Sequence, residues 1–328
     1  MMTSMMRVTV ALFALVGTLG FQTSCDSAEK AATPSPGVSA DRPVKRFKFD
    51  SGAQLEQLIN ELNYTPEAWQ EGIREVPRLY ITNIPLRWRE KTSKELDVVT
   101  KKRVFFRLLG PLILHSNELI QSDRDRVVLI IKALRAGDKI SPEDQTFLQE
   151  TAAAYKVIDG GADFNDRALQ DKLLRRVDTL PPSLVLAQAA EESGWGTSRF
   201  AVEGNALFGM WTWSGKGVTP LQQRSNLGNY KIASYETPLL SVIAYMHNLN
   251  THQAYKALRA RRADIREAGT KVTGWELANT LTKYSERGQE YVDSLHSLMK
   301  VNRLQATDDA YLGDGPTILL IPVGEGVN

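Results

Sequence analysis

The apolar positions of this chain change period several times, and each change predicts an element. Leu55, Leu58, Ile59 and Leu62 recur at helical spacing. Val76-Pro77 to Ile84-Pro85 reads as an extended connection, because a residue that precedes proline avoids the helical region. From Leu96 to Leu134 a long apolar stripe, including Val104, Phe105, Leu108, Leu109, Leu112 and Ile113, predicts a helix that Gly110-Pro111 is placed to kink. Ser141-Pro142-Glu143-Asp144 is a helix start, with a capping serine, a proline at the first position and acidic residues in the first turn. Gly160-Gly161 marks a domain seam, and Asp166 to Val177 is an amphipathic helix beyond it.

Pro181 and Pro182 suit the first turn of the next helix, since their fixed φ fits it and their missing N–H groups would have no partner there. Leu184 to Ala190 is apolar throughout, which predicts a buried helix, and Gly194 supplies a left-handed stop. Asn205 to Trp213 and Tyr230 to Ser234 read as short strands of a small β-lobe on an α-helical body. Thr237-Pro238 opens a helix through Leu249, and Gln253–Arg262, Trp275–Tyr284 and Gly288–Asn302 complete the helical set. After Gln305, the run Ile318 to Ile321 reads as an edge strand or a disordered end.

At the other end, Arg7 precedes an apolar run, Val8 to Phe21, too short for a comfortable membrane span, so residues 1–25 read as an export signal. Cys25 closes that run: Ser24 fits a lipoprotein processing site, Gln22 does not, and ordinary signal cleavage is the alternative. Residues 26–46, rich in Ala, Ser, Pro and Lys, read as a tether. The expected organisation is then a helical N-terminal region over 47–160, a second domain over 161–305 and a tail over 306–328.

The 328 residues are 42% hydrophobic, enough for one large or two modest cores. A net charge of +2 argues against a dedicated nucleic-acid binder, whose basic residues concentrate on one face. Cys25 is the single cysteine, so there is no internal disulfide framework and no Cys/His zinc pattern. His247 and His252 are not spaced as metal ligands on a helix, and no cofactor is implied. Glu118, Asp123 and Asp125 read as a solvated face.

The candidate chemistry lies at Glu191 and Glu192, in the last turn of the buried helix. The negative end of the helix dipole and burial both raise a carboxyl pKa there. A carboxylic acid kept protonated near neutrality is what a glycosidase general acid requires. Spacing does not choose between the two, because both reach back to Gln188. Aromatic residues follow closely: Trp195, Phe208, Trp211 and Trp213 offer stacking faces for sugar rings, and Gln188 and Asn205 are candidate donors to an acetamido group or to the acid.

Ala187-Gln-Ala-Ala-Glu-Glu-Ser-Gly-Trp-Gly196, with Asn205-Ala-Leu-Phe-Gly209, resembles the glucosaminidase domain of bacterial peptidoglycan hydrolases. Tyr245-Met-His-Asn-Leu-Asn250, Tyr255 and Tyr284-Ser-Glu-Arg-Gly288 with Tyr291 resemble its Bax-like branch, so that the likeness spans about residues 165–303. The resemblance implies a mainly α, lysozyme-like α+β glucosaminidase domain. It implies Glu192 as general acid, with Tyr284 beside it and Tyr255 lining the cleft. It further implies an exported, periplasmic or envelope-attached Gram-negative protein that cleaves β-1,4 bonds of peptidoglycan glycan strands at N-acetylglucosamine. No Asp or Glu occurs between Gly204 and Tyr235, where some relatives carry a second carboxylate. A substrate-assisted hydrolase, a lytic transglycosylase and a non-catalytic wall-binding lipoprotein all accommodate that gap. An amidase fits less well, for want of zinc ligands.

Overall fold

The computed structural model describes residues 42–223, 228–324 and 326. The export signal, Cys25 and most of the tether lie outside the described residues. The chain runs through β1 (Val44–Phe49), α1 (Gly52–Glu61), α2 (Pro66–Gln70), β2 (Glu75–Val76), β3 (Leu79–Ile81) and a π turn at Trp88–Thr92 that leads into α3 (Ser93–Glu95). The helices α4 (Val98–Ala136), α5 (Pro142–Ala154), α6 (Arg167–Arg176), α7 (Pro182–Ser193) and α8 (Arg199–Gly204) follow. Then come β4 (Trp211–Thr212), β5 (Gly217–Val218), β6 (Lys231–Ala233), α9 (Pro238–Thr251), α10 (Lys256–Glu267), α11 (Gly274–Ala278) and α12 (Gln289–Val301). A 3-10 turn at Leu304–Asp309 precedes β7 (Tyr311–Leu312) and β8 (Thr317–Pro322). The architecture is mainly α, with the small antiparallel lobe β4-β6-β5 set beside it.

The long helix α4 organises the body. Asp97 caps its start by accepting from Val99 N and Thr100 N, and Gly137, at φ 86°, ends it. Thirty-nine residues at 1.5 Å rise make a rod of about 58 Å. Pro111 lies inside this single helix, so Gly110-Pro111 does not end it. Its first half packs Phe105, Leu109, Leu112 and Ile113 into a core shared with Leu55, Ile59 and Leu79 before it, and with Leu184, Leu186, Tyr245 and Leu295 after it. Its second half packs Val127, Ile130 and Ile131 against Leu148 of α5 and Leu173 of α6. The seam expected at Gly160-Gly161 therefore does not separate one core from another: the main one draws on both sides of it.

The two ends of the described chain meet in one sheet. β8 pairs in parallel with β1 (Val44 opposite Thr317) and with β3 (Leu79 opposite Ile318), so the order is β1-β8-β3. Ile318 and Leu320 are buried and alternate with more exposed neighbours, as a period of two requires. The expected edge strand or disordered end is thus the central strand of this sheet. Residues 44–46, expected as the end of the tether, lie in β1, and the region 47–160 is not wholly helical. In the lobe, Asn205–Met210 is not strand, and β5 lies within the intervening stretch.

Glu118 is not a solvated side chain either. Its carboxylate takes a two-pronged bond from buried Arg78 (both 2.7 Å), and its hydrogen bonds from His115 and Arg78 outweigh burial and hold its pKa low. No helix among the described residues is long and apolar enough to cross a membrane.

Candidate active site

The helix α7 is buried from Pro182 to Ala190 and reaches the surface only at its last turn. Its first residues lack a local side-chain cap. Asp308, from the 3-10 turn, supplies one remotely, accepting from Ser183 N (2.9 Å), Ser183 Oγ (2.8 Å) and Gly274 N (3.0 Å). At the far end, Gly194 at φ 56° stops the helix, Ser193 Oγ accepts from Gly196 N, and Glu191 and Glu192 are left on different sides of the axis.

Those sides differ in chemistry. Glu191 faces the loop after α11 and accepts from Arg287 Nη1 at 2.7 Å, both side chains being partly exposed. Glu192 faces α12, where Tyr291 Oη donates to its Oε1 at 3.1 Å. Behind them, Gln188 Nε2, one helical turn earlier, donates to Tyr291 Oη at 3.2 Å. The chain Gln188 to Tyr291 to Glu192 commits Oε1 to acceptance.

Burial pushes the Glu192 carboxyl up to about 7, and the charge of Glu191 adds to that. Hydrogen bonding from Tyr291 and Tyr284, and the positive charge of Arg287, pull the other way. Burial, first, and the charge of Glu192, second, keep Tyr284 and Tyr291 protonated, so both act as neutral donors. Tyr284 stacks on Tyr291 with ring centroids 4.8 Å apart, and Tyr255 stands 6.0 Å from Tyr284. Tyr284 and Tyr255 keep some of their surface in solvent, whereas Tyr291 and Tyr245 are buried beneath them. An acid poised near neutrality, with two phenols beside it that are mostly buried, is equipped to protonate the leaving oxygen of a bound glycoside.

The other sequence-derived candidates divide. Glu192, Tyr284 and Tyr255 are brought together. Gln188 is fully buried and acts on Tyr291, so it cannot meet a sugar. Phe208 is also buried, lying face to face on Tyr245 at 3.8 Å within the floor. Asn205 is occupied by backbone: it accepts from Ile84 N (3.0 Å) and donates to Tyr235 O (3.0 Å) and Glu236 O (3.2 Å). Those three are corrected from substrate contacts to supports, because Gln188 and Phe208 are buried and the Asn205 amide is taken up by backbone.

Trp195 packs edge-on against Phe105 and Phe106 of α4, under the Lys102 ammonium, and its carbonyl accepts from Trp88 Nε1. Trp211 stacks on Tyr230 at 4.5 Å beside the 63% exposed Trp213, giving the β-lobe an open aromatic surface. His247 and His252 hold backbone, at Ala154 O and Ala254 N. Among the described residues no group of His, Cys, Asp or Glu side chains could hold a metal ion.

Sequence reasoning gave no role to Tyr291 or Arg287, which decide between the two glutamates. Both lie within the Tyr284–Tyr291 motif, but nothing local relates them to residue 192; α12 and the loop before it, where they meet α7, do. The carboxylate acting on Glu192 is its neighbour Glu191, from the same helix.

The family described as mannosyl-glycoprotein endo-beta-N-acetylglucosaminidase matches residues 169–304, which hold Glu192 and its tyrosines. Protein bax of Escherichia coli (strain K12) is 34% identical over 204 residues, covering 62% of this chain and 70% of that protein. No solved structure matches the chain.

Proposed function

The chain belongs to the Bax-like proteins that carry a glucosaminidase domain, and from that premise we propose that it is an exported hydrolase of peptidoglycan, cutting β-1,4 bonds at N-acetylglucosamine. Glu192 is the proton donor. The observation that carries this reading is its carboxyl, held near pH 7 by burial and fixed by Tyr291 in the last turn of α7. Protonation of the glycosidic oxygen by Glu192 releases the leaving sugar. Tyr284 and Tyr255 flank the developing oxocarbenium charge, and the substrate's own N-acetyl oxygen takes the role that a second carboxylate plays elsewhere. Export would put the protein where its polymer is, in the periplasm, with Cys25 as the point of lipid attachment.

A second reading, a lytic transglycosylase, is favoured by one specific fact: from Gly204 to Tyr235 the chain has no Asp or Glu to serve as base. Digestion of purified murein followed by mass spectrometry separates the two. Reducing N-acetylglucosamine ends support hydrolysis there, 1,6-anhydro ends support the transglycosylase, and no released glycan would refute both.

A further inference from the structure

A cavity of about 530 Å³ lies apart from Glu192, between the start of α1, the π turn and the first half of α4. That volume is within the range of small-molecule sites. Its inner wall is hydrocarbon: Phe49, Leu55, Ile59, Ile81, Phe105 and Leu112 line it, and all are buried. A glycan buried there would leave the hydroxyls round the edges of its rings without hydrogen bonds against such a wall. The polar lining includes Arg87, Lys91, Arg103 and Arg107, with Asp50, Glu56 and Glu95.

These cations are not alike. Arg103 pairs with Glu56 at 3.4 Å, and Arg87 is bonded to the carbonyls of Phe49 and Val323. Arg107 is half-buried, faces the Tyr64 ring at 5.6 Å, and makes neither hydrogen bond nor ion pair among the described residues. Burial weakens its hold on its proton, and the charges of Glu67 and Glu56, which do not touch it, offset that only in part. Half-burying a cation with no carboxylate in contact costs free energy that an anion bound directly to it would return.

We propose that this cavity binds a single-chain acidic amphiphile, a free long-chain fatty acid, with its tail in the apolar interior and its carboxylate on Arg107. The site is independent of the glycosidase reading. The test uses the full chain and cis-parinaric acid as a fluorescent probe, displaced by palmitate, hexadecanol or octanoate. Palmitate is expected to displace the probe at about one tenth of the hexadecanol concentration, the worth of one charge-assisted contact. Octanoate, with a shorter tail, should compete weakly.

Arg107→Gln should weaken palmitate about tenfold and leave hexadecanol unchanged, and Arg107→Lys should recover most of the loss. Leu108→Trp, which fills the cavity, should abolish both; if that variant does not fold, Val104→Phe serves in its place. Absence of saturable probe binding, equal displacement by palmitate and hexadecanol, or an unchanged palmitate affinity in Arg107→Gln would each overturn the proposal.

Discussion

Replacing Tyr291 by Phe removes one hydroxyl and keeps the ring stacked on Tyr284, so Glu192 Oε1 loses its 3.1 Å hydrogen bond, while the bond from Gln188, also lost, does not touch the carboxyl. A hydrogen bond to an ionised group is worth about 1.5–3 kcal/mol, and one between neutral partners about 0.5–1.5 kcal/mol. The bond therefore favours the carboxylate over the acid by about 1–1.5 kcal/mol, which corresponds to about one pH unit. The sign follows: Tyr291 lowers the Glu192 pKa, so its loss raises it above about 7. Because the acid form is the active one, wild-type activity falls as pH rises through about 7, and in Tyr291→Phe that fall moves about one unit to the alkaline side. The assay is the pH profile of kcat/KM for release of soluble fragments from dye-labelled murein. An unmoved inflection, with activity lost equally at every pH, would show that Tyr291 only supports the fold.

Three further outcomes are expected. Glu192 binds a proton more tightly folded than unfolded, so its contribution to stability is complete below its ordinary value of 4.5 and is lost as pH rises through about 7, on the order of 3 kcal/mol at most. Glu192→Gln escapes that loss, and its Tm should exceed the parent's at pH 8 and match it near pH 4.5 by calorimetry. Asp308→Ala leaves the start of α7 uncapped, removing the acceptor of Ser183 and Gly274; a loss of about 2 kcal/mol is expected in urea titration. Leu320→Ala opens a hole in the buried central strand and should cost about 2–5 kcal/mol by the same titration, whereas an edge strand would tolerate it.

Much of the fold was legible because its signals are local. Ser141 before Pro142, Thr237 before Pro238 and Gly194 after Ser193 cap the helices where the sequence places them. The apolar run Leu184 to Ala190 is the buried helix it suggests. What was hidden depends on contacts far apart in the chain. β8 reads as an isolated apolar run, since β1 and β3, its parallel partners, lie near the other end of the described chain. Glu118 looked solvated because Arg78 reaches it from a loop forty residues earlier. The site divides the same way: Glu192 stands in a motif, but the fact that Glu191 is bound by Arg287 and Glu192 by Tyr291 arises only where α12 and the loop before it meet α7. Asn205 and Phe208 belong to a recognisable motif for a structural reason, as one ties together two backbone segments distant in the chain and the other underlies Tyr245.

Side-by-side digestion of purified murein by the wild type, Glu192→Gln and Glu191→Gln tests the central claim most directly. A general acid contributes about 10²–10⁴-fold, so Glu192→Gln should lose at least that range's lower bound while remaining folded. Glu191→Gln, which removes a partly exposed partner of Arg287 and a charge that adds to burial in raising Glu192, should stay within about tenfold of the parent. If Glu192→Gln released glycan as fast as the wild type, the buried carboxyl would not be the proton donor.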